Sequence, residues 1–409
     1  MPQQIAIIGN GIAALSAIKS IREVDKQSEI HLIGEEKFYP YNRIRLSKGL
    51  LSSLEADKIL LQNKEWYRDN EINLYLGTGA VSIDTREKSV QLSDGKVIGY
   101  DKLLIANGSH NIEPSVPGIK TSGVYTLKTL LDAWNIMDYI KGAEKILIIG
   151  GGIQGLETAW ILSEMGKKVI LSNRSQRLMR KELDEEASDI LAKAIESSGI
   201  EILFNTEIAE ISGRDKVEGF KTVGGEVIDC DAVIYSIGTK PNIDIIGNTK
   251  IDTNYGILVD ERMETNLQDI YAAGDVAEYK RKPYGLWNIA IGQGKVAGYN
   301  ISGKNAIFDH IVPVTTLNAF KLSLFSMGEV KEDKATNIVV DRLQENNYRK
   351  ILFNNDRIIG AMVIGDIKSS PALKGAIENE ILLKNLDYGN VSFSEIIQII
   401  KESKTARSE

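Results

Sequence analysis

A glycine-rich turn between a short β-branched run and a helical pattern occurs twice in this sequence. Residues 5–15 read IAIIGNGIAAL, and residues 146–156, which lie 141 positions further on, read ILIIGGGIQGL. A second apolar run follows each copy, at residues 30–33 and 169–171. A strand, a glycine turn, a helix and a second strand form the βαβ unit of dinucleotide-binding folds. The two copies therefore predict an α/β protein with two doubly wound, Rossmann-like domains.

Each small residue in the first copy has its own expected task. Gly9 permits the tight turn, Gly11 lets backbone N–H groups approach a pyrophosphate, and Ala14 lets the helix lie close to its strand. Glu35 follows the next strand, where a carboxylate can accept hydrogen bonds from ribose hydroxyls, and Glu36 is the competing candidate. With a strand before the motif and an acid after it, the pattern predicts dinucleotide binding.

The second copy repeats the motif with a different residue at the acidic position. The motif residues are Gly150, Gly152, Gly155 and Glu157. The matching acidic position after the next strand falls on Asn173, which is followed by Arg174 and Arg177. A carboxylate there would favour NADH, whereas arginines beside a neutral residue can hold the 2′-phosphate of NADPH. The motif predicts a nicotinamide dinucleotide and leaves that choice open, because both arginines could also be solvated surface charges.

Composition excludes several classes of chemistry. The 409 residues include 49 Lys and Arg against 56 Asp and Glu, and this net charge of −7 argues against nucleic acid or an anionic membrane as the main partner. The single cysteine, Cys230, cannot form an internal disulfide or a CxxC pair. The three histidines, His31, His110 and His310, leave little for a zinc site. We therefore expect no metal site and chemistry supplied by an organic cofactor. Cys230, which precedes Asp231 at the start of a strand, is expected to be a packing or partly exposed thiol.

Nothing in the sequence indicates export or membrane insertion. The first residues lack the basic start of a signal peptide, and no apolar run reaches the ~18 residues that a membrane span needs. A lone cysteine also fits a reducing compartment. We expect a cytoplasmic protein, either a monomer or a homodimer.

Breaks in the pattern predict where the domains begin and end. Pro114 and Pro117 mark a crossover after the first unit, and GTKPN at residues 238–242 marks the return. In the last hundred residues a β-hairpin around residues 354–356 is expected, with helices near Ala372–Asn385 and Phe393–Lys401. The predicted domains are residues 1–112 with 242–309, residues 113–241, and a smaller C-terminal α+β interface domain of residues 310–409.

Five motifs in fixed order resemble those of the FAD-dependent pyridine nucleotide–disulfide oxidoreductase superfamily. They read GNGIAA, LLIANGS, GGGIQGLE, GTKPN and DIYAAGDVAE, and the resemblance covers about residues 1–330. LLIANGS departs from the family, which usually has ATG at this point. The FAD contacts that the resemblance implies are Gly9, Gly11, Ala14, Glu35, Arg43, Lys48, Val81, Ala106, Asn107, Gly108, Lys128, Gly274, Asp275 and Trp287. The implied nicotinamide contacts are Gly150, Gly152, Gly155, Glu157, Asn173, Arg174 and Gly238.

The segment PYNRIRLSK at residues 40–48 indicates a branch of the superfamily. The redox CxxxxC of disulfide reductases and the single redox cysteine of NADH oxidases and peroxidases are both absent near it. The segment is similar to rubredoxin reductases, Rieske-type ferredoxin reductases and the flavin domain of nitrite reductases. This resemblance implies that Arg43 lies along FAD and that Lys48, paired with Glu157, acts catalytically near the flavin N5. It also implies that Lys128 contacts the flavin and that Trp287 opens a helix directed at the flavin N1 edge.

The missing redox cysteines predict the route of the electrons. The electrons must leave from the flavin itself. Because a flavin can release electrons one at a time, a one-electron carrier is a fitting acceptor. We expect an FAD-dependent NAD(P)H oxidoreductase whose partner is rubredoxin or a similar small redox protein. The alternatives are an NADH oxidase that reduces O2, the flavin subunit of a nitrite reductase, and a flavoprotein sensing module. Candidate docking residues for an acidic carrier are Arg43, Arg45, Lys48, Lys280, Arg281, Lys282 and Lys321.

Overall fold

The computed structural model describes residues 2–51, 54–309, 312–344 and 347–405. Up to residue 112 the elements are β1 (Gln4–Ile8), α1 (Ile12–Val24), β2 (Glu29–Gly34), α2 (Arg45–Gly49), α3 (Lys64–Asp69), β3 (Ile72–Leu76), β4 (Ala80–Asp84), β5 (Ser89–Leu92), β6 (Val97–Gly99), β7 (Lys102–Ile105) and β8 (Ser109–Asn111). Up to residue 242 they are β9 (Val124–Thr126), α4 (Leu130–Tyr139), β10 (Lys145–Ile149), α5 (Ile153–Glu164), β11 (Lys168–Asn173), α6 (Glu185–Ser197), β12 (Glu201–Phe204), β13 (Ile208–Ser212), β14 (Gly219–Thr222), β15 (Val227–Asp229), β16 (Ala232–Tyr235) and β17 (Thr239–Pro241).

The remaining elements complete the first unit and form the C-terminal one. They are β18 (Ile257–Val259), β19 (Ile270–Ala272), β20 (Ala277–Tyr279), α7 (Trp287–Ile301), β21 (Val314–Ala319), β22 (Leu322–Gly328), β23 (Asn337–Gln344), β24 (Asn347–Asn354), β25 (Arg357–Ile364), α8 (Ser370–Glu378) and α9 (Phe393–Thr405). Short 3-10 turns occur at Ala56–Ile59, Asp244–Ile246 and Glu332–Lys334. Within the described residues no helix is both long and apolar enough to cross a lipid bilayer.

Two five-stranded parallel sheets form the two larger units. The first has the order β19-β7-β1-β2-β3 and the second the order β12-β11-β10-β16-β9. Their central strands, β1 and β10, are almost entirely buried runs of Ile, Leu and Ala, which is the pattern of strands covered on both faces. The small antiparallel sheets β4-β5-β6 and β13-β14-β15 complete them. The predicted α/β class, with two doubly wound domains and a smaller C-terminal domain, is confirmed.

Glycines allow α7 to lie directly against α1 in the first unit. A Cβ on Gly294 would lie 2.2 Å from the carbonyl oxygen of Ala13, and one on Gly298 would lie 2.3 Å from that of Ala17. Because the two glycines are four residues apart, they share one face of α7. Because these contacts make α7 and α1 run in the same direction, the first residue of α7, Trp287, lies toward the end of α1 that follows the first glycine turn.

The two crossovers between the larger units pair with each other. Strands β8 and β17 are antiparallel, with Ser109 opposite Pro241. Just outside this pair, the Asn107 amide donates to the Asn242 carbonyl at 2.9 Å, and the Asn242 amide donates to the Asn107 carbonyl at 2.8 Å. We propose that the domain boundaries lie at these crossovers, near residues 112 and 242. The predicted boundary at residue 310 lies outside the described residues, as does His310.

The C-terminal unit is an antiparallel sheet in the order β21-β22-β25-β24-β23, with α8 and α9 packed on one face. The expected hairpin is present as β24–β25, and Asn355 and Asp356 adopt left-handed φ values of 47° and 63°. The predicted helix over residues 372–385 is wrong in its extent, because the helix begins at Ser370 and ends at Glu378. Pro371 occupies its first turn, and the chain leaves the helical conformation at Glu380, whose φ is 45°.

The other face of this sheet packs on the second unit. Phe320 lies edge-on to Trp160 of α5, with ring centroids 5.3 Å apart. Beside them, Asp184 caps α6 by accepting from the Ala187 N–H at 2.9 Å. Its second oxygen accepts from the Tyr348 hydroxyl and the Lys350 ammonium, each at 2.6 Å. Despite burial, these hydrogen bonds lower the pKa of Asp184, so the carboxylate and the buried Lys350 form an ion pair between domains.

Replacing Lys350 with Met should weaken this junction more than removing an exposed ion pair nearby. The change leaves Asp184 buried without its cation, which typically costs about 3 kcal/mol or more. Arg342→Ala is the matched control, because Arg342 and Glu186 pair at 2.6 Å across the same junction but are largely exposed, and such pairs contribute about 0–1 kcal/mol. Urea unfolding followed by tryptophan fluorescence compares them. Equal midpoint shifts for the two variants would contradict the assignment.

Candidate functional site

Gly9 and Gly150 form equivalent turns at the carboxyl ends of β1 and β10. Their φ values are 101° and 118°, which favour glycine. A Cβ would lie 2.2 Å from the carbonyl oxygen of Ala106 at the first turn and 2.2 Å from that of Ser236 at the second. The turn N–H groups donate to the carbonyl of Ile33 at 2.8 Å and to that of Ser172 at 2.9 Å. These contacts hold each turn across the end of its sheet.

Gly11 and Gly152 cap α1 and α5 and face open space. A Cβ on either would meet no protein atom within 4 Å, and neither residue supplies a side-chain cap to its helix. Gly155 differs, since a Cβ added there would lie 2.0 Å from the Gly150 carbonyl oxygen. The equivalent residue in the first turn, Ala14, is fully buried. The unfilled space at each helix N-terminus therefore fits a pyrophosphate, which accepts hydrogen bonds from first-turn N–H groups.

The structure separates the two candidate acids that follow β2. Both carboxylate oxygens of Glu36 are engaged, one by the Tyr41 hydroxyl at 2.8 Å and the other by the Arg43 guanidinium at 2.5 Å. Glu35 is exposed, and among the described residues its side chain makes no hydrogen bond or ion pair. Glu35 is thus the acid left available to a ribose, as the motif predicts.

Arg43 ties the segment after β2 to the start of α4. Its guanidinium donates to the Tyr41 hydroxyl at 2.9 Å and to the Lys128 carbonyl at 3.1 Å, and it lies 4.7 Å from the centre of the Tyr41 ring. The Tyr41 hydroxyl also accepts from the Leu130 N–H at 3.0 Å. Burial raises the pKa of Tyr41, which keeps this hydroxyl protonated. The predicted contact of Arg43 with FAD stays a prediction, but the structure shows what orients the guanidinium.

Asp275 lies in a polar cluster with Ser109 of the crossover strand β8 and Lys128, which lies between β9 and α4. It accepts from the Ser109 hydroxyl at 2.7 Å and from the Lys128 ammonium at 3.4 Å, and Lys128 also donates to Ser109 at 2.8 Å. Burial lowers the pKa of Lys128, and the Asp275 carboxylate partly opposes that effect. The cluster joins the predicted FAD residues Lys128 and Asp275. Ser109 was not predicted, although its place directly after Asn107-Gly108 in LLIANGS would have allowed it.

Two buried polar atoms near this cluster lack a protein partner. Gln293 of α7 accepts from the Gly274 N–H at 2.9 Å, whereas its own amide nitrogen is buried and unpaired within the described residues. The amide oxygen of Asn107 is likewise buried without a partner. Unpaired buried groups are costly, so a site that leaves them free fits a polar ligand at this edge. Gln293 belongs to the helix that the resemblance directs at the flavin, but it is not among the FAD contacts that the resemblance implies.

The predicted pair of Lys48 and Glu157 is not present in this structure. Glu157 of α5 instead accepts from the Ser47 hydroxyl at 2.9 Å, and α2 packs on α5 at this point. Ser47 lies on the buried face of α2, while Lys48, the next residue round the helix, is exposed and makes no ion pair with a described residue. The catalytic roles of Lys48 and Glu157 remain predictions, and the direct contact of Glu157 with α2 comes from Ser47.

In the second sheet the strand register places the residue equivalent to Glu35 one position later than the sequence predicts. Because Gly9 bonds to Ile33 and Gly150 bonds to Ser172, Ile33 is equivalent to Ser172. The residue that corresponds to Glu35 is therefore Arg174, and Asn173 corresponds to Gly34. The prediction that this position falls on Asn173 is wrong, because β11 continues past its apolar residues to Asn173. Arg174 is 79% exposed, and its guanidinium lies 3.7 Å from the carboxylate of Glu207.

The remaining predicted residues occupy the same edges. Val81 is 52% exposed on β4, and Ala106 is buried at the end of β7. Gly108 and Gly238 hold equivalent places after β7 and β16, with φ values of 70° and 114°. Their roles as cofactor contacts are still predictions.

Cys230 has the packing role that the sequence predicts. The residue is 3% exposed within the cluster of Phe220 and Val233 beside the second sheet. Burial raises the pKa of its thiol to about 12. A thiol of this kind carries little thiolate at neutral pH and is inert.

Residues 3–294 match the model of the pyridine nucleotide–disulphide oxidoreductase family. The chain belongs to this family. Residues 313–381 match a second model, the rubredoxin NAD+ reductase C-terminal domain. The first match covers both glycine turns and the Asp275 cluster, and the second covers the sheet that packs on α5.

Known relatives match this chain over nearly its whole length. It is 34% identical over 383 residues to NADH-rubredoxin oxidoreductase of Clostridium acetobutylicum, covering 94% of this chain and 96% of the relative. The crystal structure of NADH:rubredoxin oxidoreductase from the same organism superposes with a TM-score of 0.81 at 33% identity, covering 98% and 100% of the two chains. It is also 32% identical to nitrite reductase [NAD(P)H] of Bacillus subtilis, covering 92% of this chain and 47% of that protein.

The two kinds of glycine in the second turn should respond differently to alanine. Gly152→Ala places a methyl in space that is free of protein atoms, so the fold should be retained while the KM for the pyridine nucleotide rises about tenfold or more. Gly150→Ala places it against the Ser236 carbonyl at a strained φ, so thermal stability should fall. Thermal melts and steady-state kinetics of both variants separate the effects. A Gly152→Ala variant with an unchanged KM would refute the assignment of this space to a phosphate.

Proposed function

We propose that this protein is an FAD-dependent oxidoreductase that takes electrons from NADH and passes them to a small one-electron carrier, with rubredoxin the first candidate. The observation that carries the proposal is the absence of a redox thiol beside the Asp275 cluster: the one cysteine, Cys230, is buried in the other unit with a raised pKa. The likeness to rubredoxin reductases over both matched regions supports rubredoxin as acceptor.

FAD, when bound, supplies the hydride acceptor and a centre that can release electrons singly. The chain's own residues would hold it at the first glycine turn, with Glu35 at the adenosine ribose and the Asp275 cluster at the polyol. Lys128 balances the negative charge of Asp275, which lowers the cost of keeping that carboxylate beside a ligand. The N-terminus of α7 would place its positive end toward the isoalloxazine ring, where reduction adds negative charge.

Glu157 is proposed to act between the two cofactors. It lies on α5, the helix that begins at the second glycine turn, and it contacts Ser47 of the first unit. A carboxylate at this junction can position the nicotinamide end of NADH relative to the flavin. Lys48, the residue after Ser47 in α2, is the cation that we propose for the flavin N5 region.

An acidic carrier protein is proposed to dock beside α5. Arg45 and Lys48 are exposed on α2, and Lys321 is exposed in the β21–β22 turn. The elements that carry them, α2 and β21, both pack on α5. Arg43 is a weaker candidate than its neighbours because its guanidinium is held by Glu36, Tyr41 and Lys128. This basic surface lies on a chain with net charge −7, so it would orient an acidic partner.

The acceptor is tested directly by reducing the protein with NADH and mixing it with candidate acceptors. Reoxidation by rubredoxin should be at least tenfold faster than reoxidation by oxygen or nitrite at equal concentration, because the proposed surface recruits a protein. Stopped-flow absorbance of the flavin at 450 nm gives the rates. Faster reoxidation by oxygen would favour an NADH oxidase. Nitrite turnover with an added partner subunit would favour the second candidate, a nitrite reductase component, which the likeness to half of the Bacillus subtilis enzyme suggests.

Reversing a charge on the docking surface should weaken carrier reduction selectively. Arg45→Glu is expected to raise the KM for rubredoxin about fivefold at low salt while leaving reduction of ferricyanide unchanged, since a small acceptor needs no docking. Lys193→Glu, an exposed change on α6, makes the same change in net charge on a helix that carries none of the proposed docking residues and is the control. Equal effects of the two variants, or equal loss of both activities in Arg45→Glu, would refute the docking surface.

A further inference from the structure

At each glycine turn an asparagine amide lies against a glycine. In the first unit the asparagine belongs to the turn, and in the second unit it belongs to the end of the strand. In the first turn, Asn10 lies between the two motif glycines, and a Cβ on Gly34 at the end of β2 would lie 2.7 Å from its amide nitrogen. In the second turn the residue between the glycines is Gly151, and a Cβ there would lie 2.7 Å from the amide oxygen of Asn173 at the end of β11. Asn10 is equivalent to Gly151 and Gly34 to Asn173, so asparagine and glycine have exchanged places.

The exchanged amides share one acceptor position, and Asn173 has a second, shorter bond of its own. Asn10 donates to the carbonyl of Phe38 at 2.9 Å. Asn173 donates to the carbonyl of Ser175 at 2.7 Å and to that of Arg177 at 3.3 Å. Phe38 lies four residues after Gly34, and Arg177 lies four residues after Asn173. Asn10 therefore fastens the loop that follows β2 to the first glycine turn. Asn173 fastens the loop that follows β11 to the end of that strand, where its side chain lies against Gly151 of the second turn.

Both asparagines are themselves buried. Asn10 is 7% exposed and Asn173 is 9% exposed. A buried amide that lost its acceptors would be costly, so the loop is held wherever the amide stays in place. The loop in question begins with Glu35 in the first unit and with Arg174 in the second. These are the exposed residues that follow the strand end, where the ribose of a bound dinucleotide is read.

We propose that Asn10 and Asn173 are positioning residues that fix Glu35 and Arg174, respectively, relative to the two pyrophosphate turns. In naming the nucleotides the inference rests on the proposed function, with FAD in the first unit and NADH in the second. Asn173 thus acts on the nucleotide through the loop rather than by direct contact. Each turn requires one amide and one glycine that face each other. The amide can belong either to the turn or to the end of the second strand.

Alanine variants test which nucleotide each amide serves. Asn173→Ala should raise the dissociation constant for NADH about tenfold and leave that for FAD within twofold. Asn10→Ala should raise the dissociation constant for FAD about tenfold and leave that for NADH, measured with saturating FAD, within twofold. Fluorescence titration of the apoprotein measures the dissociation constant for FAD. The dependence of the flavin reduction rate on NADH concentration, followed at 450 nm by stopped flow, gives the dissociation constant for NADH. A purely structural role would lower the thermal stability and weaken both nucleotides together, which would overturn the proposal.

The exchange itself is tested in the first unit, where the space around Gly34 is bounded by Asn10 alone among its nearest atoms. Asn10→Gly should lose FAD affinity, and Asn10→Gly combined with Gly34→Asn should recover at least half of the loss on a logarithmic scale. The second unit is less suitable, because a Cβ on Gly151 would also lie 2.6 Å from the Leu178 side chain. A double variant no better than Asn10→Gly would overturn the exchange. Wild type that fails to oxidise NADH would instead refute the proposed function, leaving the FAD comparison intact.

Discussion

The close approach of backbone to backbone at Gly9 and Gly150 is the constraint from which the rest of the site follows. At each turn the chain passes so near the end of the neighbouring strand that a single methyl would overlap a carbonyl oxygen. This approach places the helix N-terminus, the end of the second strand and the crossover at one edge of the sheet. The polar groups that a dinucleotide needs are brought together by that geometry and not by a contiguous stretch of sequence.

Helix α5 joins the parts of the molecule that the turns create. Its first residues follow the second glycine turn, Glu157 reaches Ser47 of the first unit, and Trp160 packs on Phe320 of the C-terminal sheet. One buried cluster accordingly runs through all three units and includes Leu46, Leu156 and Leu317. A helix packed on both sides in this way is held rigidly, so a nucleotide at its N-terminus has a defined position relative to the first unit.

The sequence predicted the features that depend on local pattern and missed those that depend on register. The βαβ repeats followed from apolar runs and glycines, and the packing of Cys230 was one of the two expected alternatives. Asn173 was misplaced by one position because an apolar run does not show where the ladder of hydrogen bonds ends. Lys48 was expected at Glu157, but adjacent residues on a helix point about 100° apart, and Ser47 holds the inward direction. Ser109 and Gln293 contact the site through tertiary structure alone.

The route of the electrons in the proposed reaction depends on the lack of a reactive thiol as well as on the cofactor sites. A disulfide reductase needs a low-pKa thiolate near the cofactor, whereas the burial of Cys230 moves its pKa in the opposite direction. No residue of the chain can therefore take two electrons from the flavin and store them as a dithiol. In the proposed reaction the acceptor approaches the flavin from outside. The exposed cations on α2 and on the β21–β22 turn lie beside α5, where docking of the carrier is proposed. A scaffold of the disulphide oxidoreductase family that carries no cysteine pair is suited in this way to the proposed electron transfer between proteins.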